Sequence, residues 1–311
     1  MNDSFMDLRQ IRHFVAVAEE LHFGRAAERL GMTQPPLSQS IQALEMDLGL
    51  TLFERTRRSV ALTPVGREWL PHARRVLEEA VRLPQTAQQL SRGEVGRVRL
   101  SFISFVSYSF LPTLVRRFKE RFPEVELVLN EATSDVQIAE LLDGALDAGI
   151  IISPPRGALH PPLSYRPVET DKLVVAVPEE WVISGRVVPQ GGKLDFATLC
   201  NLPVILFPRR SAPVLHDLVT RYYAEHEAIP FQGQQAVQMQ TIINLVSSAL
   251  GIAFVPSTMR RLIRPGVAYF RLAEQQPEIE IGFAWRVTDA STALQHLADT
   301  VAGMFPADGV R

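Results

Sequence analysis

Residues 23–66 read FGRAAERLGMTQPPLSQSIQALEMDLGLTLFERTRRSVALTPVG, and their order decides the head of the chain. A short helix is expected from about Arg25 to Leu30. Gly31 can take the left-handed conformation that stops it, and Thr33 is placed to cap a third helix. The first turn of that helix tolerates Pro35 and Pro36 because its amides lack intrahelical partners. The third helix reaches about Leu48, with Leu37, Ile41, Leu44 and Leu48 inward, which leaves Gln34, Ser38, Gln39 and Gln42 on or near the opposite face. Thr51–Arg55 and Ser59–Leu62 are strand-like runs, so a hairpin with Thr56, Arg57 and Arg58 at its tip follows as a wing. Upstream, Leu8, Ile11, Phe14, Val15, Ala18 and Leu21 recur at helical spacing over residues 8–22. A short helix, a glycine turn and a polar-faced helix make a helix-turn-helix.

Downstream, Thr63 before Pro64 opens another helix, along which Trp69, Ala73, Val76, Ala80, Leu83, Ala87 and Leu90 step by four and three. That seam suits pairing with a second copy. Pro71 and Pro84 predict bends, or a helix that ends near Pro84 and restarts. From Val95 onward strands and helices alternate. Strands are expected at 97–103, 126–131, 149–153, 173–177, 204–207, 251–255 and 279–287, and helices at 110–121, 135–146, 213–226, 239–249 and 291–304. The order predicts open parallel sheets in two lobes, joined by crossovers near Tyr165–Val168 and Val267–Arg271.

The chain has 311 residues, 46% of them hydrophobic and 21% charged, which excludes disorder and predicts two or three cores. Apolar runs such as Ala148–Ile152 are too short to span a bilayer. Asp3 and Asp7 precede any hydrophobic stretch, the wrong order for a secretory signal, so no membrane association and cytoplasmic residence are expected. A net charge of −2 says little about partners, but every Lys or Arg before Lys119 is an arginine, and Arg55, Arg57 and Arg58 crowd one segment fit for phosphate. Cys200 is the sole cysteine and reads as a packed thiol. The histidines at 13, 22, 72, 160, 216, 226 and 296 are scattered and read as surface or packed groups. No nucleophile elbow, phosphate loop, dinucleotide fingerprint or H-E-x-x-H is found, so neither an enzyme, a cofactor nor a metal is expected.

Glutamine pairs bidentately with adenine and serine reaches base edges or phosphate from a helix in the major groove, so the polar face of the third helix reads as a double-stranded DNA contact. Residues 8–66 resemble the N-terminal domain of LysR-type transcriptional regulators nearly motif for motif, and the rest is similar in length and element order. The resemblance implies an α-rich winged helix-turn-helix at 1–63 and a linker helix at 64–92. It further implies a periplasmic-binding-protein-like, two-lobed α/β domain at 93–311, with lobe I at about 93–166 and 269–311 and lobe II at about 167–268. It places Thr33, Gln34, Pro35, Pro36, Ser38, Gln39 and Gln42 at the DNA-reading positions, with Arg55, Arg57 and Arg58 on the wing and Arg25 against phosphate. Gly24 stands where many relatives carry a Ser or Thr cap. The resemblance also implies RNA polymerase as a partner and a homodimer or homotetramer paired antiparallel through the linker.

The segments ILFPRR (205–210) and GIAFVP (251–256) are similar to the branch that controls aromatic-acid catabolism through muconate-type inducers. That likeness puts Phe105, Ser134, Pro213 and Met239 at inducer contacts and Arg209 at a basic position. Ligands of parallel α/β sheets bind beyond strand carboxyl ends, which selects Ser104, Ser107, Ser134, Arg209 and Met239 independently. A carboxylate inducer would meet helix amides, hydroxyls and one guanidinium there. The plainer reading is that these serines cap helices and Arg209 makes a surface ion pair. The alternative function, a small-molecule-binding protein without a DNA role, is disfavoured by the wing and by the missing signal sequence.

Overall fold

Asp7 starts the first helix with its own side chain: the carboxylate accepts from the Arg9 amide while Gln10 reaches back to the Asp7 amide, and α1 runs Leu8–Glu20. The computed structural model describes residues 6–56, 59–154 and 161–306, which belong to two compact units, 1–88 and 89–311. In the first unit α1, α2 (Phe23–Arg29) and α3 (Gln34–Leu48) enclose Ile11, Phe14, Val17, Leu37, Ile41 and Leu44. Gly31 takes φ +67°, which lets the Met32 amide fold back onto the Ala27 carbonyl at 2.9 Å and close α2. β1 (Phe53–Arg55) and β2 (Val60–Leu62) pair antiparallel as the wing, whose tip residues Arg57 and Arg58 lie outside the described residues.

α4 runs Pro64–Ser91 without the end and restart that Pro84 allowed. Pro71 and Pro84 are both exposed, so the carbonyls deprived of a partner one turn earlier, at Arg67 and Ala80, face water rather than a core. Trp69, Leu70, Ala73 and Leu77 pack onto the core of the helix-turn-helix, while Val76, Val81 and Leu83 stay exposed.

The second unit continues as β3 (Gly96–Phe102), a 3₁₀ turn (Ser104–Tyr108), α5 (Leu111–Arg121), β4 (Val125–Glu131), α6 (Ser134–Asp143), β5 (Ala148–Ile152), β6 (Leu163–Pro178) and α7 (Glu179–Ile183). Then follow β7 (Lys193–Leu194), α8 (Phe196–Leu199), β8 (Val204–Leu206), α9 (Pro213–Ala224), β9 (Gln232–Gln235), α10 (Met239–Ser247) and β10 (Ala253–Pro256). A second 3₁₀ turn (Ser257–Arg261), β11 (Val267–Leu272), β12 (Glu278–Arg286) and α11 (Thr292–Met304) complete it.

Parallel pairing, expected throughout, holds for β3 with β4 and β5, β7 with β11, and β8 with β9. β12 instead runs antiparallel to β5 and β6, and β10 and β11 run antiparallel to β6. A chain that crosses between lobes and returns must come back in the opposite sense, so the crossing strands cannot all be parallel. β6 is the crossing strand: residues 163–172 pair with β12 in one lobe, and residues 173–178 pair with β10 and β11 in the other. The stretch expected as a connection at Tyr165–Val168 is therefore strand. Pro167 is tolerated because the register slips there: Ile281 faces Glu169 while Gly282 faces Pro167, which leaves Val168 as the bulged residue. Likewise Val267–Arg271 is β11 inside the second lobe, and the return falls at residues 273–277. Among the described residues no helix is long and apolar enough to cross a membrane.

Candidate functional site

The first candidate surface is the outer face of α3. Gln34, Pro35, Pro36, Gln39 and Gln42 are exposed and Ser38 half-buried, while Leu37, Ile41 and Leu44 are sealed beneath. Thr33 stands at the cap position in extended conformation but its hydroxyl makes no capping bond, contrary to expectation. A cap accepts from the second or third helical amide, and in α3 those residues are Pro35 and Pro36, which have none. Thr33 is exposed.

Two expected phosphate contacts are engaged inside the head. Arg55 pairs with Glu45 at 2.9 Å, reaches Ser38 Oγ at 3.4 Å and lies over the Phe23 ring at 4.8 Å. Arg25 donates to the Glu20 carbonyl at 2.6 Å. Glu45 ties the recognition helix to the wing, since its other oxygen accepts from the Leu52 and Phe53 amides at 2.7 and 3.0 Å. Nothing in its spacing announced this; only folding the wing back over α3 brings the groups together. His13, read from the sequence as unremarkable, is buried and sits 2.8 Å from the Ser40 hydroxyl on α3. Burial, with Arg12 and Arg9 nearby, holds its pKa below the ordinary histidine value. The cap of α2 is also not where the resemblance placed it: His22 Nδ1 accepts from the Gly24 and Arg25 amides at 3.1 and 3.2 Å. Gly24 lies inside the helix, where a methyl group would come within 3.0 Å of the His22 ring.

The second candidate is a cavity of about 150 Å³ in the second unit. It lies beyond the carboxyl ends of β3, β4, β5 and β8, where Ile103, Glu131, Ile152 and Phe207 contribute to its wall. Of the expected contacts, Ser104, Phe105, Ser134, Pro213 and Met239 line it. Each except Phe105 is the first residue of a helical segment, and α6, α9 and α10 all begin at the cavity with no side-chain cap on their amides. By contrast α1, α2, α8 and α11 are capped by side chains. Ser134 Oγ accepts from the Ile152 amide at 3.0 Å, which leaves its proton free to donate into the cavity. Ser107 and Arg209 are not part of the wall. Ser107 Oγ is spent on the Ser104 carbonyl at 2.5 Å, and Arg209 is held by both oxygens of Asp217 at 2.8 and 3.2 Å. The surface ion pair is thus what Arg209 makes. Cys200 Sγ is similarly local, donating to the Ala197 carbonyl at 3.3 Å.

These two surfaces coincide with two known modules. Residues 8–67 match the bacterial regulatory helix-turn-helix protein, lysR family, and residues 91–306 match the LysR substrate binding domain. The chain belongs to the LysR family. It is 52% identical to the HTH-type transcriptional regulator IlvR of Caulobacter vibrioides over 94% of its length and 96% of that protein. It is 35% identical to AlsR of Bacillus subtilis, covering 94% of each chain. Among solved structures it resembles full-length CbnR complexed with its target DNA, with a TM-score of 0.68, 28% identity, and 96% and 99% of the two chains covered. A LysR-family chain is a DNA-binding transcriptional regulator with an effector-binding domain rather than an enzyme. Among the described residues no group of His, Cys, Asp or Glu is arranged to hold a metal ion.

Proposed function

We propose that this LysR-type regulator reads operator DNA through Gln34, Ser38, Gln39 and Gln42 and is controlled by a small organic acid bound in the sensor cavity. The observation that carries the second half is the convergence of three uncapped helix starts on one cavity with a largely apolar floor. Open amides at helix starts favour a carboxylate, and a cavity of roughly this size accommodates a ring of about six carbons. The ILFPRR and GIAFVP segments support an aromatic-derived acid, with Ser104, Phe105, Ser134, Pro213 and Met239 as its contacts. Thr33, Pro35 and Pro36 sit against the DNA backbone beside the reading glutamines. Arg25 and Arg55 brace the head and turn their remaining donors to phosphate, joined by Arg57 and Arg58.

Val76 and Leu83, one heptad apart and exposed on the same face of α4, support pairing of α4 with a second copy, hence a dimer and, by pairing of dimers, a tetramer that presents the heads to DNA and RNA polymerase. Gln39→Ala and Gln42→Ala should each cost about 1 to 3 kcal/mol at particular bases of a sequence selected from random duplexes. Unchanged discrimination against random DNA would refute the reading face. A thermal-shift screen of muconates, benzoates and other small carboxylates tests the cavity, since a ligand at a hundred times its Kd adds about 2.7 kcal/mol.

A further inference from the structure

The described ionisable side chains at the cavity are both acidic. Among the described residues its wall contains two ionisable side chains, Glu131 and Asp135, and no arginine, lysine or histidine. Glu131 ends β4 and Asp135 is the second residue of α6, so the two carboxylates flank the turn that presents Ser134 and the open amides of α6. Both are exposed, and neither has an ion-pair or hydrogen-bond partner among the described residues. The nearby arginines do not offset them: Arg209 is taken by Asp217, and Arg210 lies outside the wall. Ser104, Thr133, Ser211 and Gln238 add neutral polar groups, and Ile103, Phe105, Ile138, Ile152, Phe207 and Met239 make an apolar floor.

A ligand that meets helix amides and carboxylates at one turn, with an apolar body beneath, carries an anion and a cation on adjoining atoms. We infer that the effector is an α-amino acid with an apolar side chain. Its carboxylate meets the uncapped starts of α6, α9 and α10 and the Ser134 hydroxyl. Its ammonium meets Glu131 and Asp135, and its side chain fills the cavity. This rests on the sensor-cavity reading above and adds the ammonium group to it. A deaminated acid would meet the same amides and hydroxyl but leave Glu131 and Asp135 without a counter-charge.

The test is calorimetry on the full-length protein with matched pairs: phenylalanine against 3-phenylpropanoate, and leucine against 4-methylpentanoate. One amino acid should bind at least tenfold more tightly than its deaminated partner, and Glu131→Gln with Asp135→Asn should erase most of that ratio. If a deaminated acid binds equally well or better, or if the ratio survives in the double variant, the ammonium assignment fails while the cavity stands. Arg210→Ala then reports whether that arginine swings in to hold the anion. Met239→Trp, which fills the cavity, separates the two claims. Binding that persists unchanged in it places the effector elsewhere, and an absence of binding by all four compounds overturns the amino-acid reading.

Discussion

In the head, the groups proposed to read DNA sit on one fifteen-residue helix, with Gln34, Gln39 and Gln42 carried by the same backbone that buries Leu37, Ile41 and Leu44. In the sensor, Ser104, Ser134, Pro213 and Met239 come from four separate helical starts and meet only when both lobes are folded. The first surface is held by a few strong local ties, so its geometry survives as long as those ties do. The second is held by long-range packing, so its donors are backbone amides whose placement belongs to whole helices. A side-chain change should therefore damage the head sharply at its ties and the sensor more gradually.

The largest expected effect is at Glu45. Glu45→Ala leaves two amides without acceptors and Arg55 without its counter-ion, and should cost the head about 2 to 4 kcal/mol in urea unfolding of the full chain. A cost below about 1 kcal/mol would show that the wing is not held by this residue and would erase the contrast. Next, Ser134→Ala removes the acceptor of the Ile152 amide and should cost the sensor about 1 kcal/mol, with weaker effector binding and unaltered affinity for DNA in the absence of effector. Loss of DNA binding in that variant would mean the two surfaces are not separable.

His22→Ala should cost about 1 kcal/mol by removing the cap of α2. Gly24→Ala is unfavourable beside His22 because the new methyl meets the ring, yet in the His22→Ala background it should stabilise by up to about 1 kcal/mol through helix propensity. Additive behaviour in that double-mutant cycle would contradict the packing.

The smallest effect concerns acid. The hydrogen bond from Arg209 holds the Asp217 carboxyl at about 2, below its ordinary 3.8. A depressed carboxyl contributes stability that is complete above the unfolded value and disappears as pH falls through the folded one, here between 3.8 and about 2. Because the pair is largely solvated the contribution is small. Asp217→Asn should flatten the acid limb of the stability curve slightly; identical limbs would show that the pair contributes nothing.

What could be read directly from the residues tracks how local each feature is. The helix-turn-helix and wing were legible because glycine turn, proline-started helix and hairpin follow one another within residues 23–66. Ser104, Ser134 and Met239 were legible because strand ends can be counted along the chain, whereas Pro213 came only from the family likeness. Thr33 misled because its residue type suits a cap while the two following prolines remove the donors. His22 was overlooked because an imidazole is an uncommon cap. Arg209 misled because Asp217 lies eight residues away on α9, a separation at which sequence gives no sign of contact. β6 was cut short because Pro167 and its neighbours suggest a connection, and only the bulge against Gly282 makes a strand of them.

That strand has a mechanical consequence. β6 passes through both sheets as one sixteen-residue ribbon, changing partners between Lys172 and Leu173 without leaving the extended conformation. A loop hinge swings freely about a point, whereas a ribbon anchored by ladder bonds on both sides of its midpoint yields mainly in torsion. A relative rotation of the two lobes would therefore be spread over several residues of β6 rather than concentrated at one point.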